Sequence, residues 1–160
     1  MEELLKELAE VIQKMAEIEK KIEEKKVELG RWKPRKEDNY WFISDAGYIC
    51  NSKWDDDDVD RERYLVGNCY RTKEECEFAR EKLKVIVELK QFEELKDRAW
   101  DKDKFHFYIY YDYVMEEVGI DCAQIAKQNE IYFESKEKAR QAIGAVGEDR
   151  IKKFYLEVEE

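Results

Sequence analysis

The sequence predicts an α+β fold, in which an N-terminal heptad helix is followed by an antiparallel sheet with two β-hairpin-plus-helix units. Three observations indicate this fold. Apolar residues recur at helical heptad spacing near the N-terminus, two later runs are rich in aromatic and β-branched residues, and each of these runs leads to a hydroxyl residue that can cap a helix. We therefore divide the chain into a helix over 1–30, a basic linker over 31–36 and an acidic α+β domain over 37–160.

The first thirty residues show the pattern of a helix that packs against another helix. Leu8 and Met15 stand at a positions, Leu4 and Val11 stand at d positions, and a lysine interrupts the seam once. We expect the stripe to form a homodimer through residues 4–29 or to capture a partner helix. The alternative is that it folds back onto the protein's own domain. The residues assigned to self-association are Leu4, Leu8, Val11, Met15, Ile18, Ile22 and Leu29.

Two segments of the acidic domain predict a β-hairpin followed by a helix. The first has an aromatic strand over 39–44, a turn at Gly47, a polar loop over about 51–63 and a capped helix that begins after Thr72 and runs to about Arg98. The second begins with the aromatic run 105–113, continues to 130–133 and enters a helix after Ser135.

These two segments predict an internal repeat over 37–98 and 104–156. An offset of 63 residues aligns Tyr70 with Phe133 and Thr72 with Ser135. If the repeat is real, the two units share one antiparallel sheet. The alternative is that any strand that leads into a capped helix would produce the same match.

Charge is unevenly distributed along the chain. The 160 residues include 40 acidic and 30 basic side chains, which gives a formal net charge of −10. Residues 1–36 contribute +1, so that residues 37–160 carry −11. A surface of this sign repels phosphate and attracts basic proteins. We expect a partner with a basic surface, of the kind that binds nucleic acid, and no direct binding of nucleic acid by the domain.

The sequence predicts a soluble protein of the bacterial cytoplasm with no membrane partner. There is no run of about 18 apolar residues and no apolar leader after a basic start. The four cysteines form no C-x-x-C pair, which favours reduced thiols. They are Cys50, Cys69, Cys76 and Cys122.

Catalytic and cofactor motifs are missing from the sequence. His106 is the single histidine, which excludes zinc sites built on two histidines, and we expect it to be a paired imidazole at the surface of a strand. The chain contains neither G-x-S-x-G nor a glycine-rich phosphate loop. We therefore predict no enzyme activity, no catalytic residue, no cofactor and no bound metal.

The densest acidic feature follows Trp54, with five carboxylates in six positions. It is not an EF-hand, because Arg61 stands where that loop needs glycine. The cluster can display phosphate-like charge to a basic groove, hold a cation weakly, or be an ordinary solvated loop. The partner-binding residues assigned here are Trp54, Asp55, Asp56, Asp57, Asp58 and Asp60.

The aromatic run 105–113 offers a second candidate surface. Strand alternation places Phe105 and Phe107 on a core face, and His106, Tyr108 and Tyr110 on the opposite face. Tyr108 and Tyr110 are predicted partner-binding anchors, since tyrosine is amphipathic and is ordered at little entropic cost. If another segment covers this face, they are instead part of a second core.

Five strings of the sequence form a recognisable pattern: WKP at 32–34, YWFI at 40–43, WD at 54–55, GNCYRTKEE at 67–75 and GEDRIKK at 147–153. In these strings the chain resembles small uncharacterised acidic proteins encoded by phages and prophages of Gram-positive bacteria. The resemblance covers about residues 31–156. Small acidic proteins of phages are often inhibitors of host defence systems, including anti-CRISPR proteins, and the resemblance implies such a context.

We accordingly expect a non-enzymatic inhibitor that blocks a host defence protein, such as a CRISPR nuclease, sterically or by mimicking nucleic acid. Two other classes remain open at this point. One is a structural or assembly protein that oligomerises through the N-terminal helix. The other is a cryptic metal-dependent enzyme that uses the acidic cluster.

Overall fold

A computed structural model describes residues 11–15, 17–18, 31–93, 100–125 and 130–158. These ranges contain both strands and helices, arranged as two β-hairpins that are each followed by helices, which confirms the α+β class. The elements are β1 (Asn39–Ile43), β2 (Ile49–Lys53), α1 (Asp58–Leu65), α2 (Lys73–Lys90), β3 (His106–Asp112), β4 (Glu117–Ala123), α3 (Lys136–Val146), a helical turn (Glu148–Arg150) and a π-helical turn (Ile151–Tyr155).

Two compact units make up the chain: unit 1 is Met1–Cys76 and unit 2 is Glu77–Glu160. The described strands form two separate two-stranded antiparallel sheets, one in each unit. This differs from the single shared sheet that the sequence predicted. The reason is that, among the described residues, each hairpin pairs beyond its own two strands with one residue of its own unit, Tyr70 in unit 1 and Phe133 in unit 2. None of the helices in the described ranges is both long and apolar enough to cross a bilayer.

Part of the predicted heptad helix lies in the described ranges. Residues 11–15 and 17–18 have helical backbone, and the side chains of Val11, Met15 and Ile18 are exposed. The other predicted self-association residues lie outside the described residues; they are Leu4, Leu8, Ile22 and Leu29. Self-association of this segment stays a prediction.

The hairpin of unit 1 supports a small aromatic core. β1 and β2 pair antiparallel, with Phe42 opposite Cys50. Gly47 takes a φ of 78° in the turn between them, a conformation that glycine adopts without strain. The buried side chains are Tyr40, Trp54 and Cys69, and Trp32, Phe42 and Tyr64 pack against them.

Residues 31–36, predicted as a linker, pack onto unit 1. Pro34 is buried, and Trp32 is half-buried against the aromatic core. The guanidinium of Arg31 lies 4.1 Å from the centroid of the Tyr64 ring. These contacts explain why the segment belongs to the compact unit although its sequence is basic and contains proline.

The predicted loop over 51–63 contains the end of β2 and the start of helix α1. Asp57 caps this helix, because its side chain accepts a hydrogen bond from the backbone N–H of Asp60 at 2.8 Å. Carboxylates in the first turn also stabilise the positive end of the helix dipole. The same acids that indicated a solvated loop therefore begin a helix.

Unit 2 has the larger core. β3 and β4 pair antiparallel, with Ile109 opposite Ile120. The core lies between this hairpin, α2 and α3. Its buried members are Val85, Leu89, Ile109, Ile131, Phe133, Ala139, Ala142, Val146 and Ile151.

Each hairpin is bridged by an aromatic residue that stands two positions before a helix cap. Tyr70 pairs with Trp41, and Phe133 pairs with Phe107. Thr72 then accepts a hydrogen bond from the N–H of Glu75, and Ser135 accepts one from the N–H of Lys138, both at 3.2 Å. The bridging and capping residues are those that the 63-residue offset aligns.

A bidentate ion pair joins the helical turn Glu148–Arg150 to α2. The two terminal nitrogens of Arg150 donate to the carboxylate of Glu88 at 2.7 and 2.9 Å. The hydrogen bonds from Arg150 hold the pKa of Glu88 below its usual value. Helix α2 ends at Lys90, earlier than the predicted Arg98, because Gln91 and Phe92 donate to carbonyls three residues back and so close a turn.

Candidate protein-binding face

The acidic turn before α1 is fixed to the core of unit 1 by Asp60. This side chain is 3% exposed, and both of its carboxylate oxygens accept hydrogen bonds. The hydroxyl of Tyr40 donates to one oxygen at 2.6 Å, and the backbone N–H of Asp55 donates to the other at 2.7 Å. Arg63 donates in turn to the Tyr40 hydroxyl at 2.8 Å. A buried carboxylate thus holds both ends of the turn in place.

Tyr40 acts as a donor in this network. Burial raises the pKa of its phenol, and the hydrogen bond to Asp60 raises it further. The phenol therefore stays protonated at neutral pH and keeps donating to the carboxylate. Because a buried charge needs such partners, the network explains why an aspartate is tolerated in the core.

The remaining carboxylates of the cluster lie at the surface. Asp55, Asp56, Asp57 and Asp58 are exposed, and the Asp58 side chain is 99% exposed. Asp56 takes a φ of 60° and accepts a hydrogen bond from Arg61 at 3.2 Å. This hydrogen bond lowers the pKa of Asp56, which keeps the carboxylate charged.

The structure places two of the predicted partner-binding residues inside the unit. Trp54 is 2% exposed, and its ring packs edge-on against Tyr40 and Tyr64. Asp60 is the buried anchor described above. The acidic surface is therefore formed by Asp55–Asp58. The side chains of Trp54 and Asp60 are buried and connect this surface to the core of unit 1.

Two valines at the ends of helix α1 are also exposed. Val59, in the first turn, is 54% exposed, and Val66, which follows the last helical residue, is 75% exposed. Glu62 lies one turn after Val59. Sequence analysis missed both valines, although their spacing beside the acidic run was the available signal. We name Asp55, Asp56, Asp58, Val59, Glu62 and Val66 the α1 face.

At the second candidate surface, in unit 2, the side chain of His106 is covered. His106, predicted at the surface, is 1% exposed, and its ring centroid lies 3.9 Å from that of Trp100. Its Nε2 lies 2.8 Å from the carbonyl oxygen of Asp101, which can only accept, so Nε2 carries the proton. Tyr132 packs edge-on against Trp100 and contributes to the same cover.

The two predicted tyrosine anchors differ in exposure. Tyr108 is half-buried, and its hydroxyl donates to Asp121 at 3.3 Å. Tyr110 is 37% exposed and lies over Gly119, where an added Cβ would come within 2.5 Å of the ring. The glycine therefore makes room for the tyrosine ring. Partner binding by these tyrosines stays a prediction, and they belong to a different unit from the α1 face.

The described residues provide neither a metal-binding cluster nor a disulfide. In the ranges that the structure describes, no group of three or more histidine, cysteine, aspartate or glutamate side chains could hold a metal ion. All four cysteines lie in the described ranges, and none of them forms a disulfide. Burial raises the pKa of the Cys69 thiol to about 11, so this side chain stays protonated at neutral pH.

The chain matches no protein-family model, no curated protein and no solved structure. The α1 face is defined by two structural features, which are the charged side chains at an anchored turn and the exposed valines.

Proposed function

We propose that the protein binds and blocks a basic protein through the α1 face, without catalysing a reaction. The observation that carries this proposal is the anchored acidic turn. Asp55, Asp56 and Asp58 are exposed at a turn that Asp60 ties to the core, beside exposed Val59, and exposed Val66 follows the other end of α1. A rigid surface loses little conformational entropy on binding.

The chemistry of this face indicates the kind of partner. Interfaces combine an apolar centre with polar groups around it, and complementary charge sets partner choice and association rate. Val59 and Val66 provide apolar contact area, and the carboxylates favour lysine and arginine on the partner. Surfaces that bind nucleic acid carry such cations because they neutralise phosphates. The protein is therefore proposed to occupy a nucleic-acid-binding surface, and the resemblance to phage proteins suggests a host defence protein such as a CRISPR nuclease.

A pull-down with matched variants tests this proposal. The binding variant is Asp55→Asn/Asp56→Asn/Asp58→Asn, which leaves the cap Asp57 and the anchor Asp60 intact. Asparagine also suits the positive φ of Asp56. The control, Asp103→Asn/Glu117→Gln/Glu134→Gln, removes three negative charges from exposed positions of unit 2. Each immobilised protein is incubated with a nuclease-treated bacterial lysate, and the bound proteins are identified by mass spectrometry.

We expect the unmodified protein and the control variant to capture the same basic protein. The binding variant should retain less than about a tenth of it, which corresponds to about 1.4 kcal/mol of binding free energy. Capture should also weaken between about 0.1 M and about 1 M salt, where the screening length falls from about 10 Å to about 3 Å. Equal capture by the binding variant, equal loss in the control, or no capture at all would contradict the proposal.

A further inference from the structure

Unit 1 contains an open groove of about 450 Å³ that is basic although the chain as a whole is acidic. Residues 32–35 form one side, and Asp38 and Asn39 lie at the start of β1. The bridge between Trp41 and Tyr70 brings Arg71 to the same groove. The residues that line it are Trp32, Lys33, Arg35, Asp38, Asn39 and Arg71.

The three cations of this groove are not held in ion pairs by carboxylates of the described residues. Among the described residues, no carboxylate forms an ion pair with the side chain of Lys33, Arg35 or Arg71, whereas Arg61 and Arg150 are both paired. The one acid in the lining, Asp38, accepts a hydrogen bond from the backbone N–H of Arg35 at 2.8 Å. Three cations and one carboxylate around one concave surface leave a formal excess of two positive charges in the lining, which favours an anionic ligand.

Two features indicate the class of anion. The planar guanidinium groups of Arg35 and Arg71 suit phosphate, which they can bind with two parallel hydrogen bonds. Trp32 is half-buried in the wall and offers an aromatic surface on which a base can stack. The ammonium of Lys33 lies 5.7 Å from the centroid of the Trp54 ring and 5.6 Å from that of Tyr64, contacts that position its charge.

We infer that this groove binds a small nucleotide, with the phosphates at Lys33, Arg35 and Arg71 and the base against Trp32. The groove volume falls within the range of about 300–1,000 Å³ that is usual for small-molecule sites. A long nucleic acid would extend beyond the groove onto an acidic domain that repels its phosphates, so a mononucleotide fits better than a polymer. This inference rests on residues outside the α1 face and is independent of the proposed function.

Calorimetric titration of the full chain with ATP, ADP, pyrophosphate and a single-stranded oligonucleotide tests the inference. ATP should bind with a Kd below about 1 mM, and more tightly than either pyrophosphate or the oligonucleotide. Arg35→Gln and Arg71→Gln should each weaken ATP binding about tenfold or more. Arg140→Gln, which removes an exposed arginine of unit 2, should leave it unchanged.

Trp32→Leu separates the role of the base from that of the phosphates. This variant keeps an apolar side chain against the core of unit 1, and its thermal unfolding curve reports whether the unit still folds. ATP binding should weaken while pyrophosphate binding stays the same. Absence of ATP binding at millimolar concentration, unchanged binding in both arginine variants, pyrophosphate binding as tight as ATP binding, or tighter binding of the oligonucleotide would overturn the inference.

Discussion

Replacement of Asp60 by alanine is expected to lower the free energy of unfolding by about 2–4 kcal/mol, because it leaves one buried and one partly buried donor without acceptors. These donors are the Tyr40 hydroxyl and the backbone N–H of Asp55. The substitution also removes the negative charge of the Asp60 carboxylate. The Tyr40 hydroxyl lies between this carboxylate and the guanidinium of Arg63. Urea unfolding followed by tryptophan fluorescence measures the change, since Trp54 lies 5.9 Å from the Tyr40 ring.

Two further variants make this prediction specific. Asp60→Asn keeps one oxygen for Tyr40 but presents an amide group to the N–H of Asp55, so an intermediate loss is expected. Asp58→Asn changes a 99% exposed side chain and should alter the free energy of unfolding by less than about 0.5 kcal/mol. Equal effects of Asp60→Ala and Asp58→Asn would show that the buried network does not stabilise the turn.

Phe133→Ala is expected to destabilise unit 2 by about 3–5 kcal/mol. Its ring is fully buried and packs in the same core as Leu89 and Ile109. The backbone hydrogen bonds to Phe107, at 2.7 and 3.0 Å, do not depend on this side chain. The decrease in the free energy of unfolding therefore reports the lost transfer free energy of the ring and the cost of the cavity that is left. Thermal unfolding followed by circular dichroism measures this decrease.

Phe105→Ala is the matched control for this change. It removes the same side chain, but from a position that is 58% exposed just before β3. We expect a loss of less than about 1 kcal/mol. If Phe133→Ala and Phe105→Ala lower the free energy of unfolding by the same amount, the described core of unit 2 is incorrect.

The elements that could be predicted are those with local signals. The turn at Gly47 and the cap Ser135 depend on residues a few positions apart, and both are present in the structure. Side-chain burial near the start of β3 could not be predicted from local signals. Alternation placed Phe105 in the core and His106 at the surface, whereas Phe105 is exposed and His106 is buried. The rings of Trp100 and Tyr132 cover His106. Strand periodicity carries no information about which residues from outside the strand pack on it.

The candidate site was predicted in part. Sequence analysis found the acidic cluster, because charge density is visible without a fold. It could not distinguish the exposed Asp58 from the buried Asp60, since the partner of Asp60 is Tyr40, twenty residues away. Nor did it find the exposed Val59, because α1 lies where the acids predicted a loop.

We propose that the acidic residues of the α1 face bind where the partner binds nucleic acid. Competition measured by fluorescence anisotropy tests this most directly, with the captured basic protein bound to a labelled oligonucleotide. The unmodified protein should displace the oligonucleotide, and Asp55→Asn/Asp56→Asn/Asp58→Asn should require at least about tenfold more protein to do so. A complex that holds the protein and the oligonucleotide together, with the anisotropy undiminished, would contradict the claim.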